Sequence, residues 1–294
     1  MKTYTDKPSI ETAHISLHGN RRDNQDRYAV IESQGVFLLI LADGLGGHPK
    51  GDVAAEMLIH AAELFFPSQF DIEQSTRQFF QLIINYAHRK ITAFGEAQIP
   101  AIKPRTTAVL ALVDNKHIHW GHIGDSRLYL FRNHQVLYQT QDHTYAQELK
   151  RRGLNPHLKE IGHRNINALV RCVGGGSSPP LIEMGAKTSL FVLDVIILCS
   201  DGFWGQIDTQ KIANAFDTNV ALPVILSNLG QQALEHAFPH SDNVTAVALK
   251  KWRNVTDAAP VQFNHKTQTD DLNQAIDSLE DFIKKVEQDI KHEP

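Results

Sequence analysis

Three aspartates in this 294-residue chain share one local arrangement. Asp43 ends the apolar run LLILAD ahead of Gly44, Asp201 ends ILCSD ahead of Gly202, and Asp242 stands in mirror order, with the apolar run VTAVAL following Asn243. One Asp-Gly after a strand is an ordinary turn. Carboxylates at the ends of adjacent strands, however, converge on one side of a sheet, where their repulsion is costly unless a hard cation neutralises them. Oxygen donors of this kind select Mg²⁺ or Mn²⁺. In the turn DGLGGH, residues 43–48, the glycines carry no Cβ, so the backbone can come close and the Gly44 carbonyl can face a metal. The turn is not a phosphate loop, because no Gly-Lys-Ser/Thr follows it.

A second group offers different chemistry. His117, His119 and His122 in HIHWGH nearly match the His-x-His-x-Asp-His of dizinc hydrolases, and imidazole is a good zinc ligand. Gly121 stands where that pattern has Asp, and in a strand His117 and His119 point to one face and His122 to the other. In a chain with 16 histidines the run reads as packing or solvated side chains in a hairpin. The two cysteines, Cys172 and Cys199, read as reduced buried thiols, neither in a phosphate loop, and there is no Gly-x-Ser-x-Gly elbow.

The elements that must position these residues follow from periodicity. Residues 36–42, VFLLILA, form a buried strand that stops at Asp43-Gly44. Helical spacing runs over residues 51–66 and again over 71–94, where Phe79, Leu82, Ile83 and Tyr86 share a face. Short β-rich runs at 106–113, 118–122, 127–131 and 136–140, separated by turn residues, predict an antiparallel meander. Residues 142–180 read as a long mobile polar insertion around a short helix at 145–152. A strand at 190–199, helices at 210–216 and 221–238, and a strand at 244–249 complete a core ending near Trp252. Strands and helices come in groups, so the fold class is α+β, with antiparallel sheets covered by helices. Residues 253–268 read as a linker. Over residues 269–290, Leu272, Ile276, Leu279, Ile283, Val286 and Ile290 make an a/d seam behind Thr269 as N-cap. That helix either packs on its own domain or binds a partner or second copy.

Composition narrows the function. A net charge of −4 gives no footprint for gripping nucleic acid, and the longest apolar run is far too short to cross a bilayer. No apolar signal stretch opens the sequence, so the expected location is the cytoplasm, with no membrane partner.

In this order along the chain stand GNRRDNQD (19–26), LADGLGGH (41–48), TTAVLALV (106–113), HIGDSRLYLFR (122–132), QDHTYAQEL (141–149), NALVRCVGG (167–175), ILCSDGFW (197–204) and SDNVTAVAL (241–249). Together they resemble the PP2C (PPM) family of metal-dependent protein phosphatases, in its bacterial form. The resemblance covers residues 17–250 and implies a central β-sandwich flanked by helices on both sides. It also implies a binuclear Mn²⁺ or Mg²⁺ site and phosphoserine/phosphothreonine proteins as substrates, hydrolysed by a metal-bridged hydroxide in opposition to a bacterial Ser/Thr kinase. By position, Asp43 would bridge both metals, Asp201 and Asp242 would complete the first, and the Gly44 carbonyl would join the second. Arg21 matches the phosphate-binding arginine, Asp26 a carboxylate that holds metal-bound water, and Asp125 with Asp201 a third, weaker metal site. Asp125 read without the resemblance is a turn residue.

The chain departs from the family at several positions. Gln25 replaces the usual Glu, which weakens the second metal site. Arg105 precedes Thr106-Thr107 where Gly is common, and Leu45 stands where some relatives have a His proposed as general acid. The general acid is therefore open between a metal-bound water, His48 and His163. Residues 142–176 align with the family's flap beside the site. The resemblance thus predicts a protein-serine/threonine phosphatase with domain 1–252; the alternative is a pseudophosphatase, marked by Gln25, that binds phosphoproteins and recruits a partner through its tail helix.

Overall fold

The computed structural model describes residues 9–45, 50–66, 72–154, 166–216 and 220–252. Contacts divide the chain into Met1–Asn254 and Val255–Pro294. His48, His163, the linker expected at 253–268 and the helix expected at 269–290 lie outside the described residues.

The chain opens with three strands, β1 (Ser9–Leu17), β2 (Asp26–Ser33) and β3 (Val36–Asp43). Helices α1 (Gly51–Phe65) and α2 (Ile72–Glu96) follow, then β4 (Arg105–Thr106), β5 (Ala108–Val113), β6 (His117–Ile123), β7 (Arg127–Arg132) and β8 (Gln135–Gln139). A short helix α3 (Tyr145–Arg151) leads through the insertion to β9 (Val173–Gly174), β10 (Glu183–Met184), β11 (Thr188–Ser189) and β12 (Val195–Cys199). Helices α4 (Asp201–Trp204), α5 (Thr209–Ala215) and α6 (Leu222–Ala237) precede the last strand, β13 (Val244–Trp252).

The strands form two main antiparallel sheets, ordered β1-β13-β12-β7-β8 and β10-β6-β5-β3-β2, with β11 also on β6 and β4-β9 a separate ribbon. The continuous apolar runs are explained by burial on both faces. In β3, Leu38, Ile40 and Ala42 face α1 and α2, while Leu39 and Leu41 enter the core between the sheets. In β12, Val195, Ile197 and Cys199 face α5 and α6, while Ile196 and Leu198 join the same inter-sheet core. The result is the α+β sandwich with helices on both outer faces that the motifs imply.

Three expectations are corrected. The runs at 106–140 are not one meander: β5 pairs with β6 and β7 with β8, but β6 and β7 lie in different sheets. The crossing is made at Gly124, at φ +104°, where an added Cβ would press on Thr107. Strand 190–199 is interrupted at Phe191–Asp194, where the Asp194 carboxylate accepts the Phe191 N–H at 2.7 Å and pairs with Arg132. Leu82 does not share the buried face of α2; it is 44% exposed, while Phe80 beside it is fully buried with Ile83, Ile84 and Ala87. Strands β1 and β2 add to the expected elements: polar residues break up the apolar ones in both, so neither forms a continuous apolar run. Phe80→Ala should therefore lower stability by about 3–5 kcal/mol in urea unfolding and Leu82→Ala by about 0.5 kcal/mol or less.

Candidate metal centre

The two sheets end together, and their ends supply the acids. Asp43 is the last residue of β3, and its register partner on β2 is Asp26. Asp201 follows β12 and opens α4; Asp242 precedes β13, which pairs with β12. Asp125 occupies the crossing between β6 and β7. Asp43, Gly44, Asp125, Asp201 and Asp242 line one cleft of about 910 Å³, together with Arg21 and Gln25 from the loop before β2. Asp26 does not line it. It is buried behind Asp43, where its Oδ2 accepts the Ser200 hydroxyl at 2.8 Å.

Backbone clamps hold these ends in register. The Thr107 hydroxyl accepts the Asp43 N–H at 2.9 Å, and the Asp43 carbonyl accepts both the Thr107 N–H and the Thr106 hydroxyl. Thr107 Oγ1 also lies 2.7 Å from Ser126 Oγ, which ties the end of β3 to the Asp125 crossing. The Trp204 indole donates to the Asp125 carbonyl at 3.0 Å and lies under the Arg127 guanidinium, itself paired with Asp142 through two parallel bonds. Asn243 takes the Gln25 N–H on Oδ1 and donates to the His18 and Asp23 carbonyls, pinning the loop that carries Arg21 beside Asp242. Arg21 donates to Asp242 at 2.5 Å. The Gln25 carbonyl accepts the Gly44 N–H, and Gly44 packs so close to Gly51 that a Cβ there would strike its backbone.

Electrostatics set the chemistry of the donor set. Burial, reinforced by the charges of Asp26, Asp201, Asp125 and Asp242, pushes Asp43 well above the usual carboxylate range. Burial and then the neighbouring Asp201 raise Asp125 to about 7. Asp26 is likewise pushed to about 7 by burial, against hydrogen bonds from Thr245 and Ser200. Asp201 is raised by burial and by Asp242. Oxygen donors crowded to this degree fit hard divalent cations, which remove the repulsion and the desolvation penalty at once.

Residues 142–180 contribute more than a loop. Asn167, Ala168 and Leu169 line the same cleft, and they are held there by Tyr145 N–H to the Ala168 carbonyl and Val170 N–H to the His143 carbonyl. A buried cluster fixes the base of this segment. His143 Nδ1 accepts the Gly124 N–H at 3.1 Å, so its proton is on Nε2, which donates to Glu183 at 3.1 Å. Arg151 and Arg171 donate to the same carboxylate. Burial, with His122 alongside, lowers His143 to about 4, so the ring is neutral. For Glu183 the hydrogen bonds from His143 and Arg151 outweigh the upward push of burial, and the carboxyl falls below its usual value.

His122 therefore meets His143 and Glu183 rather than His117 and His119, and the ligand atoms of the three lie within 4.8 Å of one another. Each is already engaged: the two imidazoles stack at 4.5 Å, His122 Nε2 donates to the Gln141 carbonyl, and Glu183 is shared by two arginines. The cluster acts as a clamp. Sequence reasoning missed it, as it missed Asp23, Ser200 and Asn243. Only the Ser-Asp and Asp-Asn pairs beside the chosen aspartates could have pointed to the last two.

Residues 14–238 match the family described as Protein phosphatase 2C. A Listeria monocytogenes serotype 4b protein named serine/threonine phosphatase stp is 28% identical over 239 residues, covering 79% of this chain and 91% of that one. Among solved structures, an S. agalactiae serine/threonine phosphatase superposes with a TM-score of 0.74 at 26% identity, over 82% of this chain and 99% of that one. The catalytic domain of the serine/threonine protein phosphatase PstP, solved in complex with two manganese ions, superposes with a TM-score of 0.66 at 27% identity, over 83% and 98% of the two chains. With the motif order, the sandwich and well over half of the length in agreement, the chain belongs to the protein phosphatase 2C family.

Proposed function

We propose that the protein hydrolyses phosphoserine and phosphothreonine in other proteins with the help of two Mn²⁺ or Mg²⁺ ions. The observation that carries this is the meeting of Asp43, Asp125, Asp201 and Asp242, from four separate segments, in one cleft beside Arg21. Bound there, a pair of divalent ions supplies a nucleophile at neutral pH and neutralises phosphoryl oxygens during in-line displacement. Asp43 would be shared by the two ions, Asp201 and Asp242 would hold one, and the Gly44 carbonyl the other, with the neutral Gln25 beside it. Asp125 and Asp201 would hold a third, weaker ion. Arg21 is the phosphate fork: its guanidinium can turn from Asp242 to two phosphoryl oxygens without leaving the cleft. Asp26, whose carboxylate accepts the Ser200 hydroxyl, would hold a metal-bound water from behind Asp43.

The finer assignments follow the same reading. No helix among the described residues is long and apolar enough to cross a membrane, and we place the protein in the cytoplasm, opposing a Ser/Thr kinase. The catalytic domain is assigned to residues 1–252 with its flap at 142–180, the linker to 253–268, and a partner-binding or self-associating helix to 269–290, on the strength of the apolar seam in its sequence.

Phosphate release from a phosphothreonine peptide should require Mn²⁺, stop with chelator and fall at least ~100-fold in Asp201→Asn; release that survives chelator or the substitution would refute the reading. Gln25→Glu should lower the Mn²⁺ concentration for half-maximal activity, measured by titration of the ion. Asp26 and Asp125 sit near 7 when folded against 3.8 when free, so the folded chain binds more protons than the unfolded one between those values. Stability of the metal-free protein should therefore fall as pH rises from about 4 to about 7, and Mn²⁺ should raise the melting temperature more at pH 8 than at pH 5.5.

A further inference from the structure

Arg105 enters the metal cleft from a position where nothing in the acidic cluster engages it. It opens β4, its carbonyl accepts the Leu45 N–H at 3.0 Å, and the next two residues are the threonines that clamp Asp43. Its Cα is thus fixed beside the Asp43–Leu45 turn, and its side chain lines the cleft between that turn and the Asn167–Leu169 segment. The stem lies across Gly175, at φ +67°, where any Cβ would collide with Arg105 Nε, Cγ and Cδ. A glycine there keeps the side chain flat against the ribbon.

Other buried or half-buried arginines are used up. Arg27 pairs with Glu56, Arg127 with Asp142 and Arg132 with Asp194, while Arg21 in the same cleft pairs with Asp242. The Arg105 side chain has neither an ion pair nor a hydrogen bond among the described residues, and its Nε is buried without a partner. Cys172, which feels its charge, does not neutralise it, because burial keeps that thiol protonated. A desolvated guanidinium donor is unfavourable unless something else completes it, and a planar fork is completed best by a carboxylate or phosphate.

Resting on the phosphatase reading above, we propose that Arg105 is a specificity-determining residue that binds a second anionic group on the substrate, next to the phosphorylated residue. The enzyme then selects phosphorylated segments that are acidic or carry a further phosphate. The cleft, at about 910 Å³, has room for residues on either side of a phosphothreonine. Had Arg105 served only to offset the aspartates, it would have been drawn into an ion pair with one of them, as Arg21 is.

The test compares one phosphothreonine peptide in four versions: alanine on both sides, glutamate before, glutamate after, and a non-hydrolysable phosphonate in the neighbouring position. The full chain with Mn²⁺ should show kcat/KM about 10-fold higher for at least one anionic version than for the alanine version. R105Q should bring that ratio close to 1, and R105K, which keeps the charge without the fork, should retain part of it. Because the ratio is taken within one preparation, a partly unfolded variant does not distort it. The glutamate and phosphonate arms tell a carboxylate from a phosphate. Equal kcat/KM across the peptides in the unsubstituted protein, or a preference that R105Q leaves intact, would overturn the assignment. If the unsubstituted protein hydrolyses none of the peptides, the phosphatase reading fails on its own. Their dissociation constants by fluorescence anisotropy then decide Arg105: an anionic preference lost in R105Q upholds it, and equal affinities overturn it.

Discussion

Like charges repel, yet the cleft gathers Asp43, Asp125, Asp201 and Asp242 with Asp26 directly behind. Burial and this crowding together push Asp43, Asp125 and Asp201 above the usual carboxylate range. Only a rigid frame can hold it, and the sandwich is that frame: each acid sits within a residue or two of a strand whose side chains are buried on both faces. An acid at the tip of such a strand cannot retreat without pulling apolar side chains out of the inter-sheet core. The same repulsion that destabilises the empty arrangement makes it selective for small, highly charged, oxygen-seeking ions.

Most of the motif residues do no chemistry themselves. Thr106 and Thr107 hold the backbone of Asp43, Ser126 holds Thr107, Trp204 holds the Asp125 carbonyl, and Asn243 holds the loop of Arg21. These bonds join segments far apart in sequence, so each motif is half of a contact whose other half is another motif. A single Asp-Gly or Thr-Thr therefore says little, while the ordered set says much. Precision of this kind is what a site that positions ions and a phosphoryl group requires.

This also explains what could be read before the structure. The apolar runs that stop at Asp43 and Asp201 were legible, because a strand buried on both faces needs nothing but apolar residues. Strands β1 and β2 were not, since Ser9–Leu17 and Asp26–Ser33 owe their conformation to pairing with β13 and β3. The passage from β6 to β7 looked like another hairpin, because turn residues announce a reversal but not which sheet receives the next strand. Leu82 and Phe80 are equally apolar, and only the packing of α2 on α1 and the sheet decides which is buried. His122 was weighed with its sequence neighbours, whereas its spatial neighbours come from 21 and 61 residues further along, at His143 and Glu183.

That last cluster joins the two parts of the site that differ most in character. His143 accepts the Gly124 N–H through its ring and donates its own N–H to the Gly124 carbonyl, so it fixes the residue before Asp125 from both sides. Its carbonyl takes the Val170 N–H, next to the cleft-lining Asn167–Leu169, and its Nε2 proton goes to Glu183, where Arg151 and Arg171 from the insertion also end. The neutral ring is what permits this, since a protonated imidazole could not accept from Gly124. The acid at the crossing between the sheets and the segment that lies along the cleft thus share one support. Displacing the insertion would strain the bonds that hold the Gly124–Asp125 crossing.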